Sequence, residues 1–183
     1  MTNLTQDNPL VRDFIAFFHT LSEAEQFKLG ATFNAATGGK LSPFNSPSPV
    51  SVVVVPVDTA EGLRVLGLRR AIAPHIGRIA LPGGFVQPNE EPVSAAVREL
   101  LEETGIRVSA EEFEATCHSR AAGGNNSLLF FRLSRALSQA EFDHACAELE
   151  AKGDGEAFEL TLLDRNTPLA FPLHEEALRR AFE

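Results

Sequence analysis

Residues 81–106 read LPGGFVQPNEEPVSAAVRELLEETGI, and this stretch decides the fold. Val93, Ala96, Val97, Leu100 and Thr104 recur at three- and four-residue spacing, the pattern of a helix with one face on a core. Pro92 suits the first helical turn, where a missing N–H costs nothing. Gly105 suits the position just past the end, where the chain turns left-handed. The expected helix therefore runs from about Pro92 to Thr104. Glu99, Glu102 and Glu103 stand at i, i+3 and i+4, so they share one helical face. Three neighbouring carboxylates repel one another and weaken an isolated helix. A hard divalent cation removes that repulsion, because Mg2+ takes oxygen ligands.

The spacing is more specific than the helix. Gly84 is followed after five residues by Glu90, and after seven more by Arg98-Glu99-Leu100. Glu102-Glu103 and Gly105-Ile106 complete the series. This resembles the signature box of the Nudix hydrolases and departs from it at no defining position. Seven fixed residues at about one in twenty each match by chance roughly once in a billion start sites. The box covers only residues 84–106. The flanks fit more loosely, with a strand-rich segment before it and strands, then a terminal helix, after it.

The resemblance implies a Nudix-type α/β/α sandwich around a mixed sheet. It also implies a hydrolase cleaving the pyrophosphate bond of a nucleoside diphosphate linked to another moiety, with Mg2+ or Mn2+ bound. Glu103 and Glu99 are the first expected metal ligands, with Glu102 close behind and the Gly84 carbonyl at a position that often ligates metal in the family. By the same resemblance, Arg98 pairs with a box glutamate and holds its orientation, a bidentate task suited to guanidinium. Glu90 supports that network. One of the box glutamates, or a carboxylate from a later loop, takes the proton from water. Glu156 is the expected additional metal ligand or base, with Glu159 and Asp154 as competitors for that role.

Arg69, Arg70 and Arg78 flank the entry to the box, and a pyrophosphate needs fixed cations; Arg70 and Arg78 are the expected substrate-binding residues. His75 reads as a surface or loop-stabilising residue, and His118, His144 and His174 as structural. The LPGGFV entry and Leu169-Ala170-Phe171-Pro172 look like the ADP-ribose-type branch. Against that, Ala121 stands where the branch often has proline. The tyrosine of dinucleoside-polyphosphate enzymes and the cysteine ribbon of NADH pyrophosphatases are missing too. An ADP-ribose-like or other ADP-linked substrate is the expectation. The rival is a non-catalytic Nudix-like sensor of nucleotide or ADP-ribose. Sensors fused to a C-terminal winged helix share a similar LPGGFV segment, but this sequence stops about ten residues into one last helix.

Composition sets outer bounds. The 183 residues suffice for one substantial core. The net charge of −9 argues against a binder that tracks nucleic-acid phosphates, which needs a basic face. Cys117 and Cys146 are too few for a disulfide framework or a cysteine-rich zinc site. No charged-then-apolar leader and no run of membrane-spanning length is visible, so a cytoplasmic protein with no membrane partner is expected. Trp and Tyr are absent, so stacking on a base falls to Phe or His.

Two units are expected: a helical hairpin and linker over residues 1–45, and the Nudix hydrolase domain over 46–183. In the first, Pro9 to His19 and Glu23 to Ala36 read as helices, the second opened by the capping box Ser22-Glu23-Ala24-Glu25. That hairpin packs on the core or forms a homodimer contact. In the second, Val50 to Val57 reads as one strand buried on both faces. Leu63 to Arg69, Phe113 to Ser119, Ser127 to Leu133 and Ala157 to Leu163 follow as strands. Ser138-Gln139-Ala140-Glu141 is a capping box opening a helix to about Ala151, and Leu173 to Phe182 is the last helix.

Overall fold

The computed structural model describes residues 48–72, 74–121, 126–152 and 157–183, with isolated positions between 17 and 29. The expected N-terminal hairpin, with its packing on the core or its dimer contact, lies outside the described residues apart from those positions. At two of the isolated positions Glu25 Oε2 accepts the Ser22 N–H at 2.9 Å, the contact a capping box places there.

The chain runs β1 (Ser48–Val54), β2 (Pro56–Thr59), β3 (Gly62–Arg70), β4 (Ile79–Ala80), β5 (Gly83–Phe85) and α1 (Pro92–Thr104). After a 3-10 turn at Ala110–Glu112 come β6 (Phe113–Arg120), β7 (Asn126–Leu133), β8 (Leu137–Ser138), α2 (Gln139–Lys152), β9 (Ala157–Leu163) and α3 (Pro172–Arg180). The strands form two mixed sheets. One has the order β5-β1-β7-β6; the other has β4-β3-β2-β8, with β9 also paired to β3.

The expected strand over Val50 to Val57 is in fact divided between these sheets. Through Val54 it pairs with β5 and β7; from Pro56 it pairs with β3 and β8. The break falls before Pro56, which lacks the N–H that would continue the first ladder. Val55 bridges the two, and its carbonyl accepts the Leu66 N–H at 2.9 Å. The alternation of faces runs through unbroken, which is why the sequence reads as one strand.

That alternation fills two cores. Val53, Val55 and Val57 pack with Ala96 and Leu100 of α1 and with Phe142, Ala145 and Leu149 of α2. Val52 and Val54 pack on the other side with Phe130 and with Ala177 and Leu178 of α3. Helices therefore cover both faces, the layering expected from the sequence. Leu100 is fully buried, and truncating it to Ala costs about 2–5 kcal/mol. No helix among the described residues is long and apolar enough to cross a membrane.

Candidate active site

Helix α1 has the bounds read from the sequence. Pro92 occupies its first turn, and Gly105 ends it at φ 75°, donating its N–H to the Leu101 carbonyl at 2.9 Å. Its start is tied down by Ser51 of β1, a buried hydroxyl that donates to the Pro92 carbonyl at 2.7 Å. The carboxylate face is unevenly solvated. Glu99 and Glu103 are buried, while the Glu102 side chain keeps 58% of its exposure.

Arg98 gathers the acidic groups. Its Nε donates to Glu90 Oε1 at 2.9 Å and its Nη2 to Glu90 Oε2 at 3.0 Å, a bidentate pair. Nη1 donates to Glu99 Oε1 at 2.6 Å and to Glu102 Oε2 at 3.2 Å. Nη2 also reaches the Phe85 carbonyl at 3.0 Å, which ties the helix to β5. Hydrogen bonding from Arg98 holds the Glu90 carboxyl below the usual carboxylate range; burial opposes this, and the Gln87 amide reinforces it. The same bond to Glu90 raises the Arg98 pKa further, so the guanidinium stays charged.

The two box-entry glycines form the opposite wall. β5 runs antiparallel to β1 with Ser51 beside Gly84 and Val52 beside Gly83. The Gly83 N–H donates to Glu103 Oε2 at 2.8 Å. A Cβ at Gly84 would fall on the Glu99 carboxylate, 2.6 Å from Oε2, so that carboxylate occupies the space a side chain would need. A Cβ at Gly83 would collide with the Ser51 carbonyl oxygen, and its φ of 148° is itself a glycine conformation.

The structure thus brings Glu90, Arg98, Glu99, Glu102, Glu103 and Gly84 into one neighbourhood. Sequence reading missed the backbone partners: the Gly83 amide, the Phe85 carbonyl and the Gln87 amide. Only the Gly83-Gly84 doublet hinted that backbone approaches a ligand or a side chain here. Chemically the set fits a hard divalent cation, with carboxylate oxygens and a backbone carbonyl as donors. Among the described residues no three His, Cys, Asp or Glu side chains already converge as metal ligands. Arg98 and the Gly83 amide hold the carboxylates instead. Glu156 and Asp154 lie outside the described residues. Glu159 pairs with Arg69 at 2.7 Å across β3 and β9.

Arg70 and Arg78 flank the loop between β3 and β4, the Arg70 N–H donating to the Arg78 carbonyl at 3.0 Å, and both side chains are engaged by backbone. Arg70 Nε donates to the Pro74 carbonyl at 2.8 Å, and its guanidinium lies 5.3 Å from the Phe171 ring centre. Arg78 Nη2 donates to the Leu169 carbonyl at 3.1 Å. His75 adopts a left-handed φ of 64° and sets its ring edge-on to Phe171 at 5.2 Å, a loop-stabilising placement. His118 hydrogen-bonds Ser127 within the β6–β7 pair. His174 is buried and accepts the Leu81 N–H.

Comparison with known proteins agrees with this architecture. The family described as NUDIX domain matches residues 47–168. A MutT-like protein of Streptomyces ambofaciens is 38% identical over 78 residues, 43% of this chain and 49% of that protein. The match therefore spans about half the relative's length. A MutT/nudix family protein from Enterococcus faecalis superposes with a TM-score of 0.57 at 21% identity, covering 94% of this chain and 68% of the other. The NUDIX domain of Shewanella oneidensis NrtR, complexed with ADP ribose, gives 0.55 at 20% identity over 88% and 97%. NrtR is also solved with a 27mer DNA. At such identities the solved structures speak for the fold.

Proposed function

The chain belongs to the NUDIX domain family, and on that premise we propose that it is a metal-dependent hydrolase of a nucleoside diphosphate linked to another moiety. The observation that carries this is the Arg98-centred cluster of Glu90, Glu99 and Glu102, set against the Gly83–Gly84 backbone with Glu103. Glu99, Glu103, Glu102 and the Gly84 carbonyl would hold Mg2+ or Mn2+. A bound divalent ion supplies charge shielding on the pyrophosphate and a lowered water pKa. Arg98 fixes the orientation of the carboxylates, and Glu90 anchors Arg98. One of the box glutamates, or a carboxylate from a later loop such as Glu156, would accept the proton of the attacking water. Arg70 and Arg78, which bracket the β3–β4 loop, are the proposed phosphate contacts, and an ADP-linked compound such as ADP-ribose is the proposed substrate.

The test is cleavage of ADP-ribose, NADH, sugar nucleotides, dinucleoside polyphosphates and nucleoside triphosphates with Mg2+ or Mn2+. Release of a nucleoside monophosphate from at least one is expected, and Glu103→Gln should abolish it without unfolding the protein. Tight ligand binding with no turnover across the panel would favour the sensor reading. Absence of nucleic acid as a partner rests on the net charge of −9, and a mobility shift with duplex DNA tests it directly. Two copies joined through the N-terminal hairpin belong to the same proposal. A truncation lacking residues 1–40 that kept the native oligomeric state would remove that part.

A further inference from the structure

The chain crosses from one sheet to the other between β4 and β5, over Leu81 and Pro82, and arrives directly at the acidic site. β4 uses one edge against β3, with Ala80 beside Leu68 and Ile79 beside Arg69. Backbone groups of alternate residues share an edge, so those of Ile79 and Leu81 face away from β3. That outer edge is closed by the segment leading into α3 and by the first turn of α3 itself. The Ala170 N–H donates to the Ile79 carbonyl at 2.7 Å, and the Leu81 N–H donates to His174 Nδ1 at 3.2 Å. An imidazole side chain thus stands where a neighbouring strand would offer a carbonyl.

The next two residues carry the constraint onward. The Pro82 carbonyl accepts the Val53 N–H at 2.8 Å, and the Gly83 N–H reaches Glu103. The imidazole itself is fixed by packing. Its ring lies 4.9 Å from Phe171 and edge-on to Phe130 at 6.1 Å, and Phe171 lies under the Arg70 guanidinium. We propose that His174 is a positioning residue for the acidic site: by accepting the Leu81 N–H it fixes the crossing that presents the Gly83 amide to Glu103 and the Gly84 backbone to Glu99. Acceptance at Nδ1 requires the neutral ring with its proton on Nε2. Burial, with Arg70 adding to it, pushes the His174 pKa down to about 3.

The effect on turnover rests on the hydrolase reading above; the effect on the crossing does not. The experiment compares His174→Leu, which removes the acceptor, with His174→Asn, whose side-chain oxygen branches from the same position as Nδ1. Amide exchange at Leu81 and Gly83 is followed by NMR, Mn2+ affinity by calorimetric titration, and kcat and KM on any substrate found. In His174→Leu both amides should exchange about tenfold faster or more, while Leu66 in the core, whose N–H goes to the Val55 carbonyl, stays protected. Mn2+ affinity should fall about tenfold or more, as for other residues that orient metal ligands, with kcat reduced more than KM is raised. His174→Asn should recover most of each. If His174→Leu does not fold, His174→Gln replaces it, because its acceptor is displaced by one methylene; Gln should then be less protected at Gly83 than Asn. Native exchange at Gly83 in His174→Leu, or equal behaviour of the variant with the acceptor and the one without, would overturn the assignment. Native protein that binds Mn2+ but hydrolyses nothing would sink the hydrolase reading, while the exchange data would still decide the role of His174.

Discussion

Arg98 holds both carboxylate oxygens of Glu90, Nε to Oε1 at 2.9 Å and Nη2 to Oε2 at 3.0 Å, while its remaining nitrogen serves Glu99 and Glu102. Glu90 therefore aims the guanidinium, and the guanidinium aims the box. Both side chains are mostly shielded, at 22% and 16% exposure, so water screens the pair weakly.

Replacing the fork by a point charge tests this. Arg98→Lys keeps the charge but cannot hold both Glu90 oxygens and Glu99 together. The expected cost is about 2 kcal/mol in urea unfolding and roughly 10–100-fold in kcat. Combined with Glu90→Gln, the two losses should add to less than their sum, because they remove one interaction. Strict additivity would mean that Glu90 does not act through Arg98.

The two glycines at the box entry should fail in different ways. At Gly84 an added methyl meets the end of the Glu99 side chain, which can swing aside. Gly84→Ala should therefore stay folded and lose Mn2+ affinity. At Gly83 the methyl meets backbone, the Ser51 carbonyl oxygen and Val52 Cα at 2.8 Å, on a left-handed φ. Gly83→Ala should lose about 3 kcal/mol or more of stability. Thermal unfolding and Mn2+ titration of the two variants separate these outcomes; equal destabilisation would contradict them.

Metal binding should also be visible in the unfolding of native protein. A ligand that binds only the folded state adds about 2.7 kcal/mol at one hundred times its Kd. Mn2+ should raise the unfolding midpoint of native protein but not of the double variant Glu99→Gln, Glu103→Gln. EDTA should reverse the rise and stop turnover, and added Mg2+ should restore turnover. An equal rise in the double variant would place the ion elsewhere.

His174 makes stability depend on pH in a defined direction. Folding holds the ring neutral, down to about 3, whereas the unfolded ring titrates near 6.5. The unfolded state therefore binds the extra proton. The stabilisation is complete above about pH 6.5 and is lost as pH falls from there towards 3, by at most about 1.4 kcal/mol per pH unit. Glu90, with its pKa lowered from 4.5, loses its own contribution only below that value. Urea midpoints measured between about pH 7.5 and about pH 5 should fall more steeply in native protein than in His174→Asn. Parallel slopes would exclude a buried neutral ring.

What could be read in advance was what neighbouring residues impose on one another. The bounds of α1 follow from Pro92, a 3.6-residue period and Gly105, all within thirteen residues of each other. The cap of α2 follows from Ser138 and Glu141, whose reciprocal bonds span three residues. That Arg98 pairs with a box glutamate was implied by the family resemblance alone, and the partners all sit on its own helix or the turn before it. The division of the Val50–Val57 run was not readable, because its faces alternate identically on both sides of Pro56 and only the partners change. Nor was the shielding of Glu99 and Glu103, which depends on β5 lying across the helix.

By itself, the sequence determined the acidic helix, its ends, the residues it presents and the family they belong to, since those depend on spacing along one stretch of chain. Only the tertiary structure decided that Glu103 meets the Gly83 amide, that Glu99 fills the space beside Gly84, and that His174 holds Leu81. The last pair is separated by 93 residues. Such contacts arise from how sheets and helices stack. No local pattern encodes which distant backbone group will be left facing a side chain once both cores have closed.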